Sequence, residues 1–302
     1  MEEIEEKEDL EDYRQAGRIT SKIREESKSL IMIGTPLLDI AETIEQMIVE
    51  EGLKVAFPVN ISINEIAAHY TPEVECQQCL KETDLVKIDI GAHLNGAIAD
   101  TAYSVDLSDK NQKLIEASEA ALEKALQTIK PGITNGEVGG VVEETIKSFG
   151  FKPISNLSGH MIRRYDLHAG IDVPSVKTKD NYQFQVGDVF AIEPFATNGA
   201  GYVEDSEQVE IFSIYGPNPI RMRHTRQILK HVLDNYGMTP FAERWIRKEF
   251  KSKMLVGASL RELLSSQVIR GYPVLKDTGK GIVSQAEHTI IVTEKGCEIT
   301  TK

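Results

Sequence analysis

The feature that most constrains this chain is KIDIGAHLNGAIADTAYSV, residues 87–105, where two aspartates interrupt an otherwise apolar ribbon. Val86, Ile88 and Ile90 alternate with Lys87 and Asp89, which is the period of a strand. Asn95-Gly96 is a strong two-residue hairpin signal, because both residues tolerate positive φ. If that turn sets the register, Leu94 faces Ala97, His93 faces Ile98, Ala92 faces Ala99 and Gly91 faces Asp100. Asp89 and Asp100 then share a face as diagonal cross-strand neighbours, with Cα atoms about 7–8 Å apart, and Gly91 leaves the space between them open. Two carboxylates about 5 Å apart repel by roughly 3 kcal/mol at an effective dielectric near 20. They must share a proton, move apart or hold a divalent cation. The plainer reading makes one aspartate a turn residue and pairs the other with a cap or a lysine, and a bulge would undo the parity. The same parity puts His93 on the carboxylate face as a third candidate.

A chain of 302 residues that is 41% hydrophobic can bury a large core, as one big domain or two. No apolar run approaches the length of a membrane span, and the opening MEEIEEKEDLED is acidic where a signal peptide would be basic and then apolar. The expectation is a soluble, cytoplasmic protein in which the Asn-X-Ser matches at Asn60 and Asn156 are idle. Cys76, Cys79 and Cys297 are too few for a disulfide framework. Cys76 and Cys79 form one CxxC, but structural zinc needs four ligands and no second pair exists, so free thiols are expected. The net charge of −13 argues against DNA or RNA as the main ligand. Residues 216–270 depart from that average, with 11 basic and 4 acidic side chains.

Apolar spacing predicts helices over 9–31 and 36–51, strands and turns over roughly 55–107, and helices over 110–129 and 136–149. Short strand-like runs follow to about 215. The basic segment reads as helical, with Ile228, Leu229, Val232 and Leu233 on one apolar stripe, and strand returns after Pro273. No short repeat is present. The pattern is α+β, two halves each made of helices plus an antiparallel hairpin.

Three more segments carry isolated polar groups in apolar surroundings: Glu193 in VFAIEPF, Glu287 in SQAEHTIIV, and His160 and His168 in NLSGHMIRRYDLH. Each alone is weak, since a lone strand Glu is commonly an edge residue and a lone His a hydrogen-bonded core residue. Together Asp89, Asp100, His160, Glu193 and Glu287 are too negative to bury without cations and too rich in oxygen for a thiolate zinc site. Two metals sharing carboxylates fit the charge, and hydrolysis is the natural chemistry. HExxH, GxSxG, GxxxxGK and GxGxxG are all missing from the sequence.

Five motifs carry a resemblance: AFPVNISINEIAAHYTP, KIDIGAHLNGAIADTA, NLSGHMIRRYDLHAG, VFAIEPFATNGAG and AEHTII, in this order across nearly the whole chain. With them the sequence resembles the type II methionine aminopeptidases, of the pita-bread fold. The resemblance implies one catalytic domain over 1–302 with a pseudo-twofold antiparallel sheet flanked by helices, and a helical insertion at 216–270. It implies that Asp89 chelates one divalent metal, that His160 and Glu193 bind a second, and that Asp100 and Glu287 bridge both. Cobalt, manganese, iron, zinc or nickel would serve. It gives His93 no ligand role. It further implies that His69 and His168 contact substrate or stabilise the tetrahedral intermediate, that Phe57 lines the methionine pocket, and that Glu193 accepts a proton from the attacking water.

The activity so implied is removal of the initiator methionine from nascent chains with a small second residue, by a water or hydroxide between the metals, in a monomer. Only 88 residues precede Asp89, too few for the amino-terminal domain of prolidases, and 93 separate Glu193 from Glu287, room for the type II insertion. The long charged extension of eukaryotic members is missing, so the chain resembles the archaeal form. Two alternatives stand: an Xaa-Pro dipeptidase with the same metals, and a noncatalytic relative that binds RNA or the ribosome through the basic helices. Reversing Arg244, Arg247 and Lys248 would test the latter.

Overall fold

The computed structural model describes the backbone of residues 2–302 and the side chains from Leu10 onward. Asn95 and Gly96 both take positive φ, 51° and 91°. Strands Leu85–Leu94 and Ala97–Asp106 pair antiparallel in unbroken register, with Leu94 opposite Ala97 and Gly91 opposite Asp100. The hairpin therefore forms as its turn residues dictate. A third strand, Lys54–Ile63, lies against the first and sets Phe57 opposite Gly91. A Cβ on Gly91 would stand 2.1 Å from the Phe57 ring. The space above Gly91 is thus taken by an aromatic ring, where the sequence reading left it open.

Helix Glu2–Ser27 packs on the hairpin and helix Leu37–Glu50 on the third strand. The second helix buries Leu37, Ile40, Ala41, Ile44 and Ile48, a stripe at helical spacing that meets Val59, Ile88 and Ile90 of the sheet. The first helix ends at Ser27 and continues as a 3₁₀ turn, Lys28–Leu30, so the predicted end at residue 31 overran the α-helix by one tight turn.

The second half repeats the build. Helix Gln112–Thr128 packs against helix Asn135–Ser148, whose start is fixed by a capping box: the Thr134 hydroxyl accepts from the Glu137 N–H, and the Glu137 carboxylate accepts from the Thr134 N–H. Both lie over an antiparallel sheet ordered Gly296–Ile299, His288–Thr293, Val189–Ile192, Ser158–Met161 and Asp172–Pro174. Leu114, Val138, Phe190 and Ile290 are central to its core.

The runs VFAIEPF and SQAEHTIIV are not continuous strands. Val189–Ile192 breaks at Glu193-Pro194 before Phe195–Thr197, and His288–Thr293 is separated from Val283–Gln285 by Ala286-Glu287. The breaks coincide, because Ile192 pairs with His288 and Phe195 with Gln285. Pro194 has no N–H to give a ladder. Both glutamates therefore sit where the paired chains leave one sheet for another.

The halves meet where the hairpin touches this break. The Asp100 N–H donates to Thr289 Oγ1 at 2.7 Å, and that hydroxyl donates to the Asp100 carbonyl at 2.8 Å. Thr101 Oγ1 donates to the Glu287 carbonyl at 2.8 Å, and the Glu287 N–H to the Ala102 carbonyl at 3.1 Å.

A long ribbon, Val203–Ile214 with Ile269–Asp277, forms the centre of a four-stranded sheet edged by Phe241–Ala242 and Ile66–Ala68, and carries the basic segment. Helices Arg223–Asn235, Glu243–Glu249 and Lys253–Ser265 close around Ile228, Val232, Ile246, Leu260 and Leu263. Leu233, expected on the buried stripe, is 48% exposed. Arg244 corrects the sequence reading more sharply. It is 1% exposed, ion-paired to Glu45, and donates to Thr71 Oγ1 at 2.6 Å, while Trp245 Nε1 donates to Glu45 at 2.9 Å. Arg247 is also largely covered, beside Glu75 and Glu243. Neither residue is available to a partner, so reversing them would disturb packing and not a binding surface. All three cysteines are free thiols. No helix among the described residues is long and apolar enough to cross a membrane.

Candidate metal centre

Asp89 and Asp100 leave the hairpin toward the seam, and Glu193, Glu287 and His160 reach it from the second half. All five line one pocket with Phe57, His69 and His168. His160 Nε2 lies 3.7 Å from Asp100 Oδ2 and 3.4 Å from Glu193 Oε1. Asp100, His160 and Glu287 each offer a ligand atom within 4.8 Å of the others. Every residue the sequence reading nominated for the site is therefore in this pocket, except His93. That ring bends back to its own turn, where Nδ1 accepts the Gly96 N–H at 3.1 Å and the ring meets Tyr165 edge-on. Parity chose the correct face, but the side chain stands two pleats beyond Asp89. Among the described residues no lysine pairs with either aspartate, and Lys87, the nearest in sequence, turns to the carbonyls of Asn64 and Val283.

Burial pushes the Asp89 carboxyl up to about 7, against hydrogen bonds to Gln285 and Asp100 that lower it. Burial first, and then the neighbouring carboxylates, raise Asp100, Glu193 and Glu287 well above the usual range. Four acids cannot all ionise in so small a volume without cations. Among the described residues no hydrogen-bond donor reaches Oδ1 of Asp89 or Oδ1 of Asp100, and both atoms are buried. Buried oxygens without donors, in a set of carboxylates plus one imidazole, are what divalent cations need. The residues fit a metal.

The family model of metallopeptidase family M24 matches residues 11–294. The chain belongs to this family. It is 49% identical over 288 residues to the methionine aminopeptidase of Methanocaldococcus jannaschii, covering 95% of this chain and 97% of that one. Among solved structures, a thermophilic Arx1 superposes with a TM-score of 0.84 at 18% identity, over 97% of this chain and 90% of that one. The methionine aminopeptidase of Thermotoga maritima does so at 0.71 and 23%, over 98% and 97%. The shared fold is the M24 pita bread, and the family implies divalent metal in the acidic pocket.

The imidazoles around this M24 pocket are neutral. Burial lowers His160 to about 4, and burial with His160 and His69 nearby lowers His168 to about 2. His69 is lowered too, by burial. It takes φ +65° and sets Nδ1 3.1 Å from the Pro273 carbonyl. A carbonyl only accepts, so Nδ1 carries the proton and Nε2 keeps its lone pair.

Tyr272 is a site residue that sequence reasoning missed. Its ring meets His69 edge-on at 5.5 Å and faces His168 at 6.3 Å. Its hydroxyl is held by Ser213 at 3.0 Å and Arg270 at 3.1 Å. Ile211 and Pro240 line the same pocket. All three come from the ribbon and the insertion, whose register over the hairpin half is set only in three dimensions.

Proposed function

We propose that this chain is a methionyl aminopeptidase that releases the initiator methionine of nascent polypeptides whose second residue is small, using two divalent cations. Under this reading Asp89 would hold one cation, His160 and Glu193 the other, and Asp100 and Glu287 both. Bound there, the cations would supply an acidified water and Lewis-acid polarisation of the scissile carbonyl. The observation that carries the reading is the convergence of four carboxylates and one imidazole, with donor-free buried oxygens, in one pocket of an M24 chain.

The chain's own groups divide the remaining work. Glu193 stands at the strand break beside His160 and accepts the proton of the attacking water. His69 presents the lone pair of Nε2, which suits it to receive the N–H of the scissile amide. His168, neutral and against the His160 ring at 4.5 Å, contacts the substrate carbonyl as negative charge develops there. Phe57, Leu167 and Ile211 give the pocket its apolar side, matched to a methionine side chain. The rings of His69, His168 and Tyr272 form a packed wall that favours a small second residue. The helical insertion at 216–270 is a subdomain of the same catalytic domain, rooted by Glu45 and Arg244.

The test is release of methionine from a Met-Ala-Ser peptide by metal-stripped protein given Co²⁺ or Mn²⁺, beside an Ala-Pro peptide. Metal-dependent release from the first alone is expected; no release, or cleavage of Ala-Pro instead, would overturn the reading.

A further inference from the structure

Lys87 shares a strand face with Asp89, its neighbour by one pleat, and is fully buried. Its hydrogen-bond partners are main-chain carbonyls, Asn64 at 3.1 Å and Val283 at 2.7 Å. The Asn64 carbonyl also accepts the Val283 N–H at 3.0 Å. The three residues close one hydrogen-bonded ring across the seam, with Lys87 and Val283 196 positions apart in the sequence.

Both carbonyls belong to segments that deliver site residues. Asn64, at φ +53°, is the turn between strands Lys54–Ile63 and Ile66–Ala68, and the chain reaches His69 directly after it. Its side chain is itself tied down, accepting the Leu85 N–H at 2.9 Å and donating to Asp84 at 3.2 Å. Val283 opens the strand that ends at Gln285, whose Nε2 donates to Glu287 at 3.3 Å. Burying an ammonium is costly, and a methionine would fill nearly the same space without that cost. What the amino group supplies, and a thioether cannot, is a pair of directed bonds to the two segments.

We propose that Lys87 is a positioning residue of the metal centre, its amino group fixing the turn that leads to His69 and the strand that leads to Glu287 in one frame. The inference rests on the metallopeptidase reading of the pocket.

Full-length Lys87→Met tests it through Mn²⁺ titration calorimetry, hydrogen exchange of the stripped protein, and kinetics on the Met-Ala-Ser peptide. Mn²⁺ affinity is expected to fall about tenfold, as when an outer partner of a ligand is lost. Exchange should quicken at residues 64–70 and 283–289 and stay unchanged in helix Gln112–Thr128. In kinetics kcat should fall while KM moves by less than about threefold. A folded variant with wild-type Mn²⁺ affinity and wild-type exchange at both segments overturns the proposal, whatever its melting temperature. Should Lys87→Met fail to fold, Lys87→Gln, which keeps a shorter N–H donor, carries the same test with a smaller shift expected, and wild-type affinity again overturns it. Wild-type protein that binds Mn²⁺ but releases no methionine would sink the peptidase reading alone, since the Lys87 effect is read from affinity and exchange.

Discussion

Asp100→Asn keeps the shape of a side chain that is 3% exposed and removes one of four crowded charges. It should lower metal affinity and abolish nearly all turnover; calorimetry showing wild-type Mn²⁺ binding would contradict the ligand assignment. His168→Ala should leave metal binding intact and cut kcat by about 10²–10³-fold, the range for losing one group that stabilises developing charge. A pH dependence follows from the acids themselves. Asp89 is raised to about 7 and Asp100, Glu193 and Glu287 are raised well above their ordinary values, whereas unfolded chains titrate such groups near 4. The folded, metal-free state therefore binds protons more tightly than the unfolded one, so its stability is full below about 4 and declines as pH rises through 7. Cations remove that loss. Melting curves should show the gain from metal widening between pH 5 and pH 8, and a constant gain would count against the cluster as the origin. Much of this residue chemistry was legible in the sequence, because Asn95-Gly96 fixes a register that any reader of turns can extend to Asp89 and Asp100. His93 misled because parity gives a face and says nothing of where along the strand the ring ends.

At the scale of elements, the strand breaks at Glu193-Pro194 and Ala286-Glu287 were only half visible. The apolar surroundings singled out the two glutamates, and Pro194 was the one sign that a ladder could not continue. That the two breaks face each other depends on pairing between segments some ninety positions apart, which no local pattern encodes. The close approach of Phe57 to Gly91 was hidden for the same reason. Gly91→Ala should force that ring aside and cost about 1–3 kcal/mol, as overpacking does, with KM for methionine peptides rising; urea melts and kinetics check both. The Glu45–Arg244 pair makes a different prediction. Arg244→Ala strands a buried carboxylate and should destabilise by about 3–5 kcal/mol, while Glu45→Leu with Arg244→Met together should lie much nearer wild type. Equal losses in the single and double variants would show that the pair is not the anchor of the insertion.

For the whole molecule, the duplication of helices over an antiparallel sheet was readable from periodicity, whereas the basic surplus of residues 216–270 was readable only as a sum. Folding divides that sum: Arg244 and Arg247 turn inward, and Arg221, Arg223 and Arg226 stay exposed. If this face meets the ribosome, reversing those three charges should remove salt-sensitive cosedimentation without touching peptide hydrolysis. The seam between the halves has a last consequence. Two cross-strand links through Thr289 and Thr101, with acids supplied from both sides, mean that neither half owns the centre. A backbone nick at the exposed Asp109-Lys110 turn should yield two fragments that copurify when manganese is present and drift apart under chelation, the ion acting as a rivet between the two pieces.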